Sequence, residues 1–519
     1  MKRSRILFLV VAIGCAVAAL SPLGAATLVV TSTGDAGPGT LRNVLAGAGP
    51  NDIVVFAVSL PAQITLSSGE ILVPSVTIAG PGAGNLTISG NNANRVFQIV
   101  SSSTAMISGV TITQGLASGG GVGANILNDN ASLTLNACTI SHGRVTGGST
   151  GHGGGIYSSQ GTLTLTNCLL DRNQATGNGG GVYSTQTATT ISHCTIDGNS
   201  ATNGGGVHNN AGAAMIRHCT VVGNAATNGA ALANVGGPAS LAVSNSTICS
   251  NSVAGAGSRG SAIYNFRASF TATTSISSCT IINNNPLPGT IPGVIHSNSG
   301  TVTIGNTILQ PVAQDQTIVM TNGGVVTSAG YNLSADAGAG VLNASGDLIN
   351  TNPLLDFGTG PRDNGGPTAT VALQSNSPAI DRGRRDTIAA LVSSADQRGE
   401  ARPFDDPDLV NVGSSDGSDV GAYEAGLRMV TCQRSGNDLQ VSFTTVVGRN
   451  YEIQSRSDLV AGDWGTLPGA SPGTGGIVPR TISNALSQPK QFYRARQVPP
   501  APSRPQSKPI LTKRVRDSR

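Results

Sequence analysis

Between Gly153 and Asn251 the apolar residues fall in short alternating pieces that repeat: Leu163 and Leu165, then Cys168 and Leu170; Ile191, then Cys194 and Ile196. Counted from the cysteine, apolar positions recur at −5, −3, 0 and +2. Alternation with period two is the mark of a half-buried strand, and no 3.6-residue or heptad pattern competes with it. The parity breaks once, between −3 and 0, so the chain must turn there. The residues just before the break are Asn167, His193, His218, Asn245 and Ser278, and Asn and His tolerate the left-handed backbone that a sharp corner demands. A second turn is expected at +5, where Asn173, Asn199, Asn224, Asn251 and Asn284 align.

The aligned positions 168, 194, 219 and 246 step by 26, 25 and 27 residues, a period that signals stacked repeats. A glycine-rich text accompanies them: Gly153-Gly154-Gly155-Ile156-Tyr157, Gly179-Gly180-Gly181-Val182-Tyr183, Gly204-Gly205-Gly206-Val207-His208 and, more loosely, Gly229-Ala230-Ala231-Leu232. The column extends upstream through Ile107, Val110 and Ile112 and through Leu133, Leu135, Cys138 and Ile140. Downstream it passes through Ile276, Cys279 and Ile281 to Val302, Ile304, Thr307 and Leu309. Three short strands per coil and eight aligned coils predict an all-β chain: a right-handed parallel β-helix, a rod about 40 Å long at ~4.8 Å per coil, lengthened by less regular end coils. A small antiparallel β-sandwich is expected after it.

Composition agrees with thin stacked coils rather than a large globular core: 70 Gly, 3% aromatic and 11% charged residues. Lys2-Arg3-Ser4-Arg5, the apolar run Ile6 to Leu20 and Gly24-Ala25-Ala26 predict a secretory leader over 1–26, hence a secreted or cell-surface protein with no membrane span in the mature chain. The net charge of +4 comes from the ends. Setting aside Lys2, Arg3 and Arg5, and the six basic residues and one acid of 501–519, leaves 21 basic against 25 acidic residues. A mildly acidic body gives no reason to expect nucleic acid. The tail 498–519, rich in Pro, Lys and Arg, is expected to be disordered. Cys138, Cys168, Cys194 and Cys219 share one inward column, where in-register neighbours have poor disulfide geometry, so they are expected to be stacked small hydrophobes with free thiols.

In chain order, 27–75 reads as an N-terminal cap and first coil, with a short helix from Leu41 to Ala46 between two strands. The windings run over 76–350, opening with Val76-Thr77-Ile78-Ala79-Gly80-Pro81-Gly82-Ala83. Here the chain resembles exported bacterial right-handed β-helix proteins of the pectin-lyase-like fold, related in style to polymorphic outer-membrane proteins. Over 351–425 stand Asn352-Pro353-Leu354-Leu355, Asp363-Asn364-Gly365-Gly366-Pro367-Thr368, Ser377-Pro378-Ala379-Ile380-Asp381, Asp396-Gln397-Arg398-Gly399 with Arg402-Pro403, and Asp419-Val420-Gly421-Ala422-Tyr423-Glu424. These resemble the choice-of-anchor Q module, which implies display at a cell exterior, and its polar loops are expected to close the final coil. The segment 426–497 alternates like an antiparallel sandwich (Leu439, Val441, Phe443; Tyr451, Ile453) and carries the only tryptophan, Trp464. It is similar to fibronectin- or immunoglobulin-like modules.

The fold raises the question of polysaccharide cleavage. From Ile53 to Gln314 the acids are Glu70, Asp129, Asp171 and Asp197, with no lysine, which carries neither the carboxylate cluster of a Ca2+-dependent lyase nor that of a hydrolase. Asp171 and Asp197 both lie at +3 and are expected to stack about 5 Å apart, a catalytic pair if the chain is an enzyme. His193, Arg217 and His218 lie one turn earlier. Tyr157, Tyr183, His208 and Tyr264 follow the inward residue of the glycine-rich strand, so their rings are expected to face outward as a platform for sugar rings. Asp405, Asp406, Asp408, Asp416 and Asp419 form an acidic stretch with which Ca2+ is the expected ion, although no cofactor is required. The expected partner of this monomer is a polysaccharide or cell-envelope glycan, bound by a scaffold for binding or adhesion. The alternative is a polysaccharide lyase or glycoside hydrolase on the outer face of the β-helix.

Overall fold

The computed structural model describes residues 25–255, 257–268, 271–286, 293–312, 315–405, 411, 413–426, 429–445, 449–457, 463–474, 477–487 and 491–498. The expected leader before Ala25, the basic tail after Val498, and Asp406 and Asp408 lie outside the described residues.

Each winding contributes one strand to each of several parallel sheets, taken here as faces in the order the chain meets them. In one coil these strands are Ile156–Ser159, Thr162–Thr166, Leu169–Asp171 and Gln174–Ala175. Stacked on their counterparts they build a 10-stranded first face, a 12-stranded second face, an 11-stranded third face and a 7-stranded fourth face. The expected parallel solenoid is therefore present, with a short fourth strand in seven coils in addition to the three expected. Five of these strands have only two residues, such as Gln174 and Ala175, and the longest have four, too few to show period-two alternation, so sequence pattern could not reveal them.

The register is that of the repeat. Leu163 pairs with Leu133 and Thr189, Leu170 with Ile140 and Ile196, and Ile156 with Ile126 and Val182. Apart from Thr189, these inward residues belong to one continuous apolar core that runs from Val30 to Leu342. The first corner stands where parity breaks: Asn167, His193, His218, Asn245, Ser278 and Asn306 all have positive φ, between 43° and 55°. The second falls one residue before the expected position, at Arg172, Gly198, Gly223, Ser250 and Asn283. The asparagines that follow turn inward and are fully buried. Asn199 Oδ1 accepts from both the backbone N–H and the side-chain amide of Asn173 at 2.9 Å, while its own amide donates to Asn224 Oδ1 at 3.0 Å. The same links continue to Asn251 and Asn284.

The thiol column is more than apolar filling. Cys194 Sγ accepts from the Cys168 N–H at 3.3 Å and donates to the Ser192 carbonyl at 3.2 Å. Where the repeat has Ser246 or Thr307, the hydroxyl does the same work for Cys219 and Cys279. A small side chain with one donor and one acceptor is what this corner selects, which explains why Cys, Ser and Thr interchange there. The cysteines among the described residues are free thiols. Burial pushes those of Cys194 and Cys279 up, the latter to about 12.

The glycine runs allow the coils to approach. A Cβ on Gly155, Gly181 or Gly206 would lie 2.6 Å from a carbonyl oxygen of the next coil, so side chains are excluded sterically.

The helix Leu41–Ala46 covers the first coil with Leu41 and Leu45, and Thr40 caps it by accepting from the Asn43 N–H. Val341 and Leu342 reach into the other end of the core. The segment 351–425, expected to close that end, instead lies along the side of the stack. Gln397 bridges Thr220 and Thr247 on the outside of the third face, and the Ala422 N–H donates to Thr280. Val371, Ile380, Val420 and Tyr423 pack there on Cys249, Ile282 and Ile308. The reason is the third face's own outward residues, which turn apolar at Cys249 and Ile282 and need cover.

Within this segment Asp396 pairs with Arg398 at 2.7 Å and Arg402 with Glu424 at 2.9 Å, all four side chains buried. The Arg398 guanidinium lies 3.8 Å from the centre of the Tyr423 ring. Beyond it, Met429–Ser435, Asp438–Thr444 and Ile477–Ile482 form one antiparallel sheet; Asn450–Arg456 and Phe492–Val498 pair in a second. Val441, Phe443, Tyr451 and Ile453 fill the space between, as a small β-sandwich requires. No helix among the described residues is long and apolar enough to cross a membrane.

Candidate functional site

Asp171 and Asp197 end adjacent strands of the third face and are partners in register, as the repeat requires. Strand spacing places their Cα atoms about 4.8 Å apart. Asp171 is joined to Arg172 at 3.5 Å, and the Arg172 side chain is 68% exposed. Asp197 is half-buried. Burial first, then the neighbouring Asp171 charge, raises its carboxyl above the usual range, with Arg172 opposing. A carboxyl raised in this way beside a second carboxylate is the arrangement that a general acid uses.

The position of this pair on the rod follows from its column. At the same outward place the next coils carry Val222, Cys249 and Ile282, and there the lateral segment takes over. The carboxylates therefore stand where the covered part of the third face gives way to the open part. Sequence reasoning found the pair but not its setting, because nothing in the repeat states which side of the coil a later segment will cover.

His193 and His218 sit at the preceding corner with their rings 4.9 Å apart and 4° from parallel. Burial lowers both, His218 to about 4 with His193 and Arg217 adding to the effect. Both are half-buried, and among the described residues neither shares a hydrogen bond or ion pair with the carboxylates. Arg217 ends its second-face strand exposed to solvent. The structure thus brings the two acids together and the two histidines together, as separate pairs.

The aromatic column is in register as expected, Tyr157 beside Tyr183 and Tyr183 beside His208, but it does not face solvent. Tyr183 is 6%, His208 2% and Tyr264 6% exposed. The rings stack on one another: Tyr157 on Tyr183 at 5.3 Å, Tyr183 on His208 at 5.2 Å, and His152 on Tyr183 at 4.6 Å. Tyr264 lies 5.8 Å from Phe266. Hydroxyl groups are used too, Tyr183 accepting from Asn210 at 3.1 Å and Tyr264 from Asn298 at 2.9 Å. A platform for sugar rings at Tyr183, His208 and Tyr264 is therefore overturned. The spacing that suits a ring to a sugar also suits it to the next ring. Tyr157 remains half-exposed. Burial, with His152 nearby, takes His208 down to about 3.

The acidic stretch does not converge either. Asp419 is buried, its two oxygens accepting from the Asp381 and Ala425 N–H groups. Asp416 faces Arg385 at 3.5 Å, and Asp405 accepts from Asn411 at 3.2 Å. Among the described residues no group of three or more His, Cys, Asp or Glu side chains is placed to hold a metal ion. The expected Ca2+ position fails for Asp419 because its carboxylate serves the fold's own backbone.

A search among curated proteins returns no match to this chain. Residues 123–309, the part of the stack that carries both the paired carboxylates and the buried ring column, match the family model for a right handed beta helix region, so these coils share that fold.

Proposed function

We propose that the chain is an exported, surface-associated scaffold that binds glycan or envelope material along the outside of its β-helix. The observation that supports this reading is the register itself. Strand after strand presents its outward residues in register over a 12-stranded face, which gives a long, rigid array of evenly spaced shallow contacts suited to a repeating polymer. Secretory export and cell-surface display belong to the proposal and rest on the leader-like and anchor-like sequence features. Incubating the full chain with acidic and neutral polysaccharides tests it. Retention on glycan with no new reducing or unsaturated ends supports the scaffold. Chain ends whose release stops in Asp171→Asn would replace it with an enzyme.

One feature favours that second reading, a polysaccharide lyase or glycoside hydrolase. Asp197, raised by burial and by Asp171, has the character of a general acid beside a carboxylate. A hydrolase of this kind would lose activity as pH rises through the Asp197 pKa.

A further inference from the structure

The second face is the longest sheet of the molecule, and its twelve strands, from Thr27–Val30 to Val325–Gly330, contain a single charged residue, Arg217, at the end of its strand. Its outward middle row runs in register through Thr134, Thr164, Thr190, Met215, Ala242 and Ser275 to Thr303. The row beside it is exposed at Thr162, Ser240 and Thr301 among others. Two shallow grooves of about 220 and 340 Å3 border this row; their linings, Asn130 and Gln160 in one and Gln186 and Pro238 in the other, are neutral throughout. Resting on the glycan-binding reading above, we infer that this face is a docking plane for the flat surface of an ordered, uncharged, insoluble glycan.

Three properties select that partner. Apart from Arg217 at one strand end, the face carries no countercharge along its rows, so a charged polymer would lose hydration there without compensation. Threonine presents a methyl beside a hydroxyl that both donates and accepts, which suits a sugar surface of apolar ring faces and hydroxyl edges. Size decides the rest. The third outward row is closed over the later coils, where Ser244 and Ser277 are buried; the two open rows, twelve strands at ~4.8 Å and about 6.8 Å per residue, span about 780 Å2, close to one partner's share of a standard interface. One dissolved chain would touch one row of weak contacts; only a plane of packed chains engages most of them together.

The test uses the full chain with microcrystalline cellulose and crystalline chitin particles, against cellohexaose and chitohexaose in solution. The chain should deplete onto the particles and bind the hexasaccharides at least tenfold more weakly. Thr134→Glu/Thr190→Glu/Thr303→Glu should reduce particle binding at least tenfold with unchanged circular dichroism and melting temperature. Leu169→Glu, on the third face, should leave it intact. Should the triple variant misfold, Thr164→Arg alone must still weaken adsorption severalfold. Particle binding untouched by these variants overturns the docking plane, as does tight binding of hexasaccharides without particles, which would leave the broader glycan reading standing. Binding to no glycan at all removes both. A concentration-dependent dimer abolished by the triple variant, without particle binding, would assign the face to a second copy of the chain instead.

Discussion

Asp171 and Asp197 stand in register on neighbouring coils, and the charge of the first helps hold the carboxyl of the second above its usual range. Asp171→Asn should therefore bring the Asp197 pKa down, and Arg172→Ala should send it further up, as read by carbon-13 titration of the carboxyl resonances. An acid whose folded pKa is raised contributes stability below its unfolded pKa that is lost as pH rises through the folded value. Asp171→Asn should accordingly stabilise the chain more at pH 7 than at pH 3. The Asp171 and Arg172 pair, with its guanidinium open to solvent, adds at most about 1 kcal/mol. An Asp197 titration indifferent to both substitutions would contradict this geometry.

The corner column makes a different demand. Cys194 receives the Cys168 N–H and donates to the Ser192 carbonyl, and serine already fills this role at position 246. Cys194→Ser should cost under about 1 kcal/mol in a denaturant titration. Cys194→Ala, which strands a buried N–H, should cost about 1–3 kcal/mol. Equal losses in the two would mean that the thiols act as apolar filling after all.

In the inner ladder Asn199 accepts two bonds from Asn173 and donates to Asn224 and to the carbonyls of Leu170 and Asp197. Asn199→Asp keeps the shape and removes the donors. It should lower the melting temperature substantially, and less at acid pH, where the carboxyl is neutral. Asn199→Leu should be at least as damaging at every pH, since the groups it leaves behind remain buried and unpaired.

The extent to which this molecule can be read from its sequence follows from the range of each signal. Period-two alternation and the aligned Cys and Asn positions are local and repeated, so they specify the coil, its register and the placing of Asp171 beside Asp197. The side of the coil that is covered is set by sequence far away. Val222, Cys249 and Ile282 follow Asp171 and Asp197 in one outward column, yet only the later segment's Val371, Ile380 and Val420 distinguish covered coils from open ones. The ring column misled for a related reason. Alternation says that Tyr183 leaves the inward side, but not that His152, His208 and Tyr157 will occupy the space around it.

Cys249 provides a way to watch the lateral segment directly. Its thiol points out of the third face and is buried only because the segment covers it, whereas Cys168 and Cys194 lie inside the stack. The segment is braced by the buried Arg402 and Glu424 pair. Removing one partner leaves the other charge buried and unpaired, at a cost of about 3–5 kcal/mol. Arg402→Ala should therefore speed alkylation of Cys249 at least tenfold in native buffer while Cys168 and Cys194 stay protected, with labelling sites read by peptide mass spectrometry. Arg402→Met with Glu424→Leu, which removes both charges, should return Cys249 most of the way to its slow rate. Faster labelling of all the buried thiols together would mean that the segment and the coils open as one unit, and the lateral packing would then be no weaker than the stack beneath it.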